Sequence, residues 1–320
     1  IRGDLLIAGG EGDDVIKGKD TSDYLWGGAG NDNLNSSSGN DTLVGGSGND
    51  KLTGYYGSDT YLFNAGDGQD TIIEDMSYSN DVDRLVLGDG LLTENTILQR
   101  SGKNLMISFR DSTDSLCLKD YFYSEGNRYR VEEIVFADGT VWDVATVKAM
   151  LVAGTDEAQS LTAYSPGTEI HAGGGDDELW GDDGADQLYG DEGNDGVSAG
   201  SGNDVLAGGR GNDWLTGHYG SDTYLFNVGN GQDTITEGGK NTGDADTLRF
   251  GEGVQAKDAR IQRNGGDLVI NFSGNTDSVT VKNYFTAAKY QVEHISFADG
   301  TDWAPEDILN YVEYDIQLPL

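Results

Sequence analysis

The chain has 320 residues, including 49 Gly and only 3 Pro, and its 56 acidic and 20 basic side chains give a formal net charge of −36. So much negative charge is repelled by phosphate, which argues against nucleic acid and anionic membranes as partners, and no apolar run is long enough to span a bilayer. A single cysteine, Cys117, excludes an internal disulfide. The length favours two domains. Because the chain lacks an initial Met and a signal peptide, we expect it to be the C-terminal part of a longer protein.

A nine-residue repeat begins at Gly9. It reads two Gly, any residue, Gly, Asn or Asp, Asp, any residue, a large apolar residue and any residue, and residues 9–17, 27–35 and 45–53 all fit it. The Gly-rich first six residues can adopt positive φ and form a turn that gathers backbone carbonyls. The last three form a short strand with one inward apolar side chain. The inward residues are Ile16, Leu34 and Leu52, with Ile7 in the slot before them.

Two repeats make one coil, so every second turn stacks on the same edge, about 4.8 Å from the turn before it. Stacking places the sixth-position carboxylates of these turns in columns. A stacked pair supplies one carboxylate from each turn and several carbonyls, with no nitrogen or sulfur donor. Calcium takes six to eight oxygen ligands at roughly 2.3–2.6 Å, so this donor set favours calcium and disfavours zinc. The predicted carbonyl ligands are those of Gly10, Gly12, Gly27, Gly30, Gly45, Gly48, Gly173, Gly175, Gly181, Gly184, Gly190, Gly193, Gly202, Gly208 and Gly211.

In the first block of repeats one edge is regular and the other is degraded. The sixth positions are Asp14, Asp32 and Asp50 on the regular edge and Asp23, Asp41 and Asp59 on the other. On the degraded edge, the turn at 18–23 has lost most of its glycines and the turn at 36–41 lacks the first two. We therefore expect a single weak calcium site at most on that edge, between Asp41 and Asp59.

The block closes with a turn at residues 54–59, which runs into a longer strand at 60–63. Residues 66–72 then have the composition of one more turn, displaced by two residues along the chain. This makes Asp70 a candidate calcium ligand, although an ordinary Gly-Asp loop is the alternative interpretation.

The following segment is typical of half-buried strands, because apolar and polar residues alternate, as in 105–109. Residues 101–104 predict a hairpin loop. Asp143 can cap the N-terminus of a short helix that extends through Leu151. We expect this flank to form an apolar lid on the open end of the repeat stack, which repeat proteins require.

The pattern begins again after residues 153–168, which we interpret as a linker. Residues 54–72 read GYYGSDTYLFNAGDGQDTI and residues 217–235 read GHYGSDTYLFNVGNGQDTI. The number of residues that separates these two segments also separates Asp14 from Asp177, near the start of the two halves, and Phe122 from Phe285 further on. The chain is therefore a tandem duplication of one cassette.

The second block of repeats is more regular than the first. Its sixth positions are Asp177, Asp195 and Asp213 on one edge and Asp186, Asp204 and Asp222 on the other. We expect about four calcium ions here and a fifth at Asp233, against about two or three in the first block. Pro305 then begins a short helix through Tyr311, and residues 315–320 form a tail.

Together these elements predict an all-β protein with two tandem calcium-bound parallel β-rolls, each capped by a mostly β flanking domain with a short helix. The expected segments are a first roll at 1–62, its capping flank at 63–152, the linker at 153–168, a second roll at 169–225, and a second flank with the C-terminal tail at 226–320.

The nonapeptides resemble the calcium-binding repeats of the RTX, or haemolysin-type, family, and residues 121–142 and 284–303 resemble the related domain that flanks such repeats. The resemblance implies the C-terminal part of a large bacterial toxin, adhesin or exoprotein that leaves the cell through the type I secretion machinery. It also implies an uncleaved C-terminal secretion signal, and residues 307–320 are the candidate segment for it. Such a protein is secreted or lies on the bacterial cell surface, and it folds when it meets external calcium.

Two other classes of function stay open. A binding module would use flank aromatics, foremost Trp142 and Trp303, against a host glycan or protein receptor, whereas aromatics that alternate with apolar residues are also typical of a core. An enzyme is the third class, and we expect none. The many carboxylate pairs are explained by calcium, and the histidines His171, His218 and His294 are isolated along the chain.

Overall fold

The structure is a computed structural model of the chain. It describes residues 4–75, 80–123, 129–164, 167–239 and 241–312. The chain forms two compact units that divide between Leu151 and Val152. The predicted tail at 315–320 lies outside the described residues, and so does the last part of the candidate secretion signal.

The first unit contains two seven-stranded sheets. In spatial order, sheet A consists of β1 (Leu6–Glu11), β3 (Tyr24–Ala29), β5 (Thr42–Ser47), β7 (Thr60–Phe63), β9 (Arg84–Leu87), β13 (Glu133–Val135) and β14 (Val141–Asp143). Sheet B consists of β2 (Val15–Lys17), β4 (Asn33–Asn35), β6 (Lys51–Thr53), β8 (Gln69–Ile73), β12 (Ser115–Lys119), β11 (Asn104–Phe109) and β10 (Thr96–Ser101). Helix α1 (Val144–Leu151) follows β14.

The second unit repeats this plan with two eight-stranded sheets. Sheet C consists of β15 (Ala153–Thr155), β17 (Glu169–Gly173), β19 (Gln187–Glu192), β21 (Val205–Arg210), β23 (Thr223–Phe226), β25 (Thr247–Phe250), β29 (His294–Ser296) and β30 (Asp302–Trp303). Sheet D consists of β16 (Ser160–Thr162), β18 (Glu178–Trp180), β20 (Gly196–Ser201), β22 (Trp214–Tyr219), β24 (Gln232–Ile235), β28 (Ser278–Val281), β27 (Asp267–Phe272) and β26 (Ala259–Asn264). Helix α2 (Pro305–Tyr311) follows β30.

The repeats wind as predicted, because each coil contributes one strand to each sheet of its unit. Neighbouring strands in the repeats are parallel, and paired residues come from every second repeat, as where Leu34 lies opposite Leu52. At the extra turn before β8 this offset grows by two, with Lys51 opposite Thr71, which confirms the predicted displacement. Each short strand directs one apolar side chain inward. The all-β fold with two parallel β-rolls is therefore confirmed.

The flank of the first unit continues the same two sheets as the roll. Strand β9 pairs in parallel with β7, and β12 pairs in parallel with β8, before antiparallel strands complete each sheet. The predicted hairpin is present, with Ser101 opposite Asn104. The predicted cap of α1 is also present, since Oδ1 of Asp143 accepts a 2.8 Å hydrogen bond from the amide of Thr146. No break in the sheets separates roll from flank near residue 63.

The predicted linker at 153–168 contains strands of the second roll. Ala153 pairs with His171, and Leu161 pairs with Leu179, each at the same offset as the strands of the repeats. These residues lack the Gly and Asp pattern of the repeat, so the sequence gives no sign of a coil. Backbone pairing and a few buried residues, Leu161, Ala163 and Thr168, are sufficient to build it. The interpretation of this segment as a linker is corrected accordingly.

One continuous core runs through the roll and flank of each unit. In the first unit the inward residues of the roll, such as Leu43 and Leu52, join a cluster with Phe136, Trp142 and Val147 of the flank. Side chains become larger toward the flank, where Tyr61 lies opposite Leu43 of the preceding coil and Phe63 is also buried. The roll alone is narrow, so the flank supplies most of its aromatic packing.

Strand β2 offers a matched test of this burial pattern. Ile16 is 6 % exposed and the adjacent Val15 is 83 % exposed. We expect Ile16→Ala to lower the free energy of unfolding in calcium by about 2 kcal/mol or more, because it leaves a cavity, and Val15→Ala to change it by less than about 0.5 kcal/mol. Denaturant unfolding measures both, and equal effects would contradict the inward assignment of Ile16.

Candidate metal centre

The predicted sixth-position aspartates form a hydrogen-bonded column on the regular edge of the first roll. The amide of Asp14 donates to Oδ1 of Asp32 at 2.7 Å, and the amide of Asp32 donates to Oδ1 of Asp50 at 2.7 Å. The amide of Asp50 then donates to Oδ1 of Asp70 at 2.9 Å, so Asp70 continues the column. One carboxylate oxygen of each aspartate thus joins its turn to the turn before it.

The opposite edge of the first roll carries a second column. It runs from Asp23 to Asp41 and Asp59 through amide-to-Oδ1 bonds of 2.7 and 2.8 Å. It continues beyond the repeats, since the amide of Asp59 donates to Oδ1 of Asp83 at 2.7 Å and the amide of Asp83 donates to Oε2 of Glu132 at 2.7 Å. The flank therefore extends the acidic column that the repeats begin.

The second unit contains the same two columns. The first joins Asp177, Asp195, Asp213 and Asp233, with amide-to-Oδ1 distances of 2.8, 2.9 and 3.2 Å. The second joins Asp186, Asp204, Asp222 and Asp246, at 2.8, 2.9 and 3.0 Å, and ends where the amide of Asp246 donates to Oε2 of Glu293 at 2.9 Å. Both edges of the second roll are thus regular, as the sequence predicts.

The second carboxylate oxygen of these aspartates lacks a hydrogen-bond partner. Among the described residues, buried and unpartnered Oδ2 atoms belong to Asp14, Asp32, Asp41, Asp50, Asp59, Asp177, Asp186, Asp195, Asp204, Asp213, Asp222 and Asp233. These are all of the predicted aspartate ligands except Asp70. Leaving a buried carboxylate oxygen unpaired is costly, and a column of them is the donor set that a hard cation completes.

Burial also raises the pKa of eight of the column carboxyl groups, and the neighbouring aspartates add to the effect. The pKa rises to about 6 for Asp41, Asp50, Asp186 and Asp195, to about 7 for Asp222, and to about 8 for Asp59, Asp70 and Asp233. Low dielectric surroundings and like charges both disfavour the ionised form. A bound divalent cation reverses this preference, because it pairs directly with the carboxylates.

The first-position glycines make room for the unpartnered oxygens. A Cβ on Gly27 would collide with Oδ2 of Asp32 and would lie 2.5 Å from the carbonyl oxygen of Gly45. The carboxylate and the carbonyl of the next turn therefore converge on the same space, as a calcium ligand pair must. Two other predicted carbonyls are used by the backbone: those of Gly48 and Gly211 accept amide bonds at 3.1 and 3.2 Å. The other predicted glycine carbonyls stay predictions.

The most degraded turn replaces the cation with protein donors. Oδ2 of Asp23 accepts the amide of Lys19 at 2.7 Å, and Oδ1 accepts the amide of Leu5 at 2.9 Å and the hydroxyl of Thr21 at 2.8 Å. In the next turn of this edge, the hydroxyl of Ser36 donates to the carbonyl of Gly54 at 2.9 Å. The loss of repeat glycines thus coincides with fully satisfied carboxylate oxygens at Asp23, whereas Oδ2 of Asp41 stays without a partner.

The nonapeptide pattern does not reveal the acidic residues that lie at or beside the flank ends of the columns. These are Glu74, Asp83 and Glu132 in the first unit and Glu237, Asp246 and Glu293 in the second. None lies in a nonapeptide. The internal duplication is the signal that points to them, because Glu74 and Asp83 recur as Glu237 and Asp246 in the register that relates the two cassettes.

The two tryptophans proposed as ligand-binding residues belong to the flank cores. Trp142 and Trp303 are each 7 % exposed. Their rings meet Phe136 and Phe297 edge to face, at centroid distances of 4.6 and 4.5 Å. A buried indole cannot stack on a sugar, so the glycan-binding interpretation of these two residues is corrected to a packing role.

The histidines are less isolated than their sequence positions suggest. His171 lies between Glu169 and Asp191, at 3.2 and 3.3 Å. Nε2 of His218 is 3.1 Å from Oγ of Ser198. Serine nucleophiles need a histidine that a third group orients, and no carboxylate of the described residues lies within hydrogen-bond distance of His218.

Sequence comparisons agree with the geometry. The profile of the RTX calcium-binding nonapeptide repeat matches residues 8–43, 35–72, 169–197 and 198–235. The profile of the haemolysin-type calcium binding protein related domain matches residues 104–146 and 267–307. The chain therefore carries RTX calcium-binding repeats and two copies of the related domain, and the repeats imply that it binds calcium.

Two individual proteins are similar to parts of the chain. The iron-regulated protein FrpA of Neisseria meningitidis serogroup C is 35 % identical over 118 residues, which are 37 % of this chain and 11 % of FrpA. The chain thus spans a small fraction of that relative. The crystal structure of the extracellular lipase LipA from Serratia marcescens aligns with 88 % of this chain and 38 % of its own, at 19 % identity and a TM-score of 0.26. Separately, none of the helices in the described residues is long and apolar enough to cross a membrane.

Adjacent aspartates in one turn allow a charge-matched test of the columns. Asp177 is buried in its column, whereas Asp176 is exposed and accepts the amide of Asn194 at 2.8 Å. Asp177→Asn keeps an oxygen for the amide of Gln159 but turns the second ligand atom into a donor. We expect it to weaken calcium binding at that site by about tenfold or more, with little change for Asp176→Asn. Calorimetric titration with calcium measures the affinity of both variants. Equal losses of calcium affinity in the two variants would refute the assignment of the sixth position as the ligand.

Proposed function

We propose that this pair of RTX calcium-binding modules is the C-terminal part of a large bacterial toxin, adhesin or exoprotein, and that it folds only when it meets extracellular calcium. The unpartnered Oδ2 columns carry the proposal. Without a cation, the folded rolls bury rows of carboxylates at close spacing. With calcium, the same rows become the bonds that hold successive coils together.

The energetics suit a switch between low and high calcium. If each site has a dissociation constant near 10⁻⁴ M and external calcium is about 1 mM, each site contributes roughly 1.4 kcal/mol. One such site has little influence on a domain whose stability is about 5–15 kcal/mol. Five or more sites on stacked turns contribute several kcal/mol, which is enough to decide whether a marginal fold forms.

Export by a type I secretion machinery follows from this dependence. In a calcium-poor cytosol the net charge of −36 opposes compaction, so the chain stays extended and can pass through a narrow channel. Folding outside the cell then makes passage one-directional and leaves the module in the medium or on the cell surface. The match to RTX calcium-binding repeats supports the calcium dependence on which this proposal rests.

The second roll takes more calcium than the first. Among the described residues, unpartnered column oxygens belong to seven aspartates in the second unit and five in the first. The difference arises on the degraded edge, where Asp23 is satisfied by protein donors, and at the last turns, where Oδ2 of Asp233 is unpartnered.

Circular dichroism of the whole chain against calcium tests the folding proposal. We expect a cooperative change from coil to β-structure between about 0.1 and 1 mM calcium. Magnesium is the control, and it should fail to induce the change because it requires a smaller octahedral site and gives up its waters reluctantly. If the chain had its full β-structure when a chelator removed calcium, the proposal would be wrong.

Calcium stoichiometry of each unit tests the distribution. Residues 1–151 and 152–320, expressed separately, correspond to the two compact units. We expect calorimetry to count more ions in the second unit, because it has more unpartnered column oxygens. Equal numbers in the two units would show that the degraded turns bind calcium after all.

A further inference from the structure

A buried acidic group lies where the first roll meets its flank, and it combines one repeat aspartate, Asp59, with two residues outside the nonapeptides, Glu74 and Asp83. Asp59 ends the closing turn before β7, Glu74 follows β8 and Asp83 precedes β9. Each offers a carboxylate oxygen, and these three atoms all lie within 4.8 Å of one another. None of the three residues is more than 2 % exposed. In the part of the chain that the structure describes, this is the one group of three or more potential metal ligands that meets this limit.

Two oxygens of this group are buried without a hydrogen-bond partner. They are Oδ2 of Asp59 and Oε2 of Glu74. The other oxygen of each side chain is already used: Oδ1 of Asp59 accepts the amide of Asp41 at 2.8 Å, and Oε1 of Glu74 accepts the hydroxyl of Tyr61. The fold thus holds both carboxylates in place through one oxygen and leaves the second oxygen of each buried without a partner, in a group whose carboxylates lie close together.

We propose that Asp59, Glu74 and Asp83 bind a calcium ion in a side-chain site that fastens the flank to the end of the roll. Carboxylate oxygens are hard ligands, and the group contains no nitrogen or sulfur, which favours calcium or magnesium over zinc. The side chains are almost fully buried, which disfavours magnesium because that ion normally retains several waters. The inference rests on the proposed function only in taking calcium as the available ion.

This site differs from the turn sites in what it connects. A turn site joins neighbouring coils of the roll, whereas this group joins the last turn to the segments that enter and leave the flank. Gly54 borders the group: a Cβ there would have Oδ2 of Asp59, the hydroxyl of Tyr61 and Oε1 of Glu74 all within 2.7 Å. Binding would therefore link docking of the flank to the calcium that folds the roll.

The second unit provides a matched internal comparison. Asp222, Glu237 and Asp246 occupy the corresponding positions, and the hydroxyl of Tyr224 donates to Glu237 as Tyr61 does to Glu74. Their carboxylate oxygens do not all approach within the same 4.8 Å limit. Glu237→Gln therefore removes a negative charge from the equivalent Tyr–Glu contact. It does not remove a ligand from three carboxylates that lie within 4.8 Å of one another.

The experiment counts calcium ions bound per full-length chain, by native mass spectrometry after titration with calcium alone. We expect Glu74→Gln to bind one ion fewer than the unsubstituted chain, and Glu237→Gln to bind the full number. A full count in Glu74→Gln would overturn the proposal. An equal loss in both variants would also overturn it, because the effect would then arise from the shared Tyr–Glu contact.

Two further measurements keep the test decisive. Circular dichroism in saturating calcium shows whether the Glu74→Gln variant folds. If this variant does not fold, the Asp83→Asn variant takes its place, and we expect that variant also to bind one ion fewer. Asp83 lies outside the repeats, so its substitution leaves the turn ligands intact. A chain that binds no calcium at all would defeat the proposed function, whereas normal binding with a full count in both variants would defeat this inference alone.

Discussion

The structure depends on the way each sixth-position aspartate divides its two oxygens. Oδ1 accepts the amide of the aspartate one coil earlier, as between Asp32 and Asp14, and this bond sets the stacking of the turns. Oδ2 stays buried without a partner. Because stacking and burial are inseparable, every coil that joins the roll adds an uncompensated carboxylate to the column. The backbone therefore builds a fold whose electrostatic cost must be offset by cations from the medium.

The core of each roll cannot offset that cost alone. A three-residue strand such as β4 contributes a single buried side chain, Leu34, and the turns add small buried side chains such as Ala172 and Ala199. The flanks enlarge the core with aromatic residues, and they do so by extending the same sheets. In consequence the roll and its flank share one core in each unit.

Asp23 shows that a column position can dispense with a cation. Its oxygens accept bonds from Lys19, Thr21 and Leu5, whereas Asp14 and Asp41 keep an unpartnered Oδ2. Permanent donors make a turn stable in the absence of calcium, and unpartnered oxygens make it conditional on calcium.

The repeat period alone determined the stacking of every second turn, the inward residues Ile16, Leu34 and Leu52, and the columns of aspartates, because the template repeats locally and each turn pairs with an identical one. It also indicated the displaced turn at Asp70. Where the template ends, only the tertiary structure was informative. Leu161 and its neighbours form a coil without any motif, because parallel pairing needs only the backbone and a few buried side chains. Trp142 lies in the core because the flank extends the sheets of the roll. Glu74 and Asp83 meet Asp59 only because the chain returns to the last turn from distant positions, and sequence spacing cannot specify such a contact.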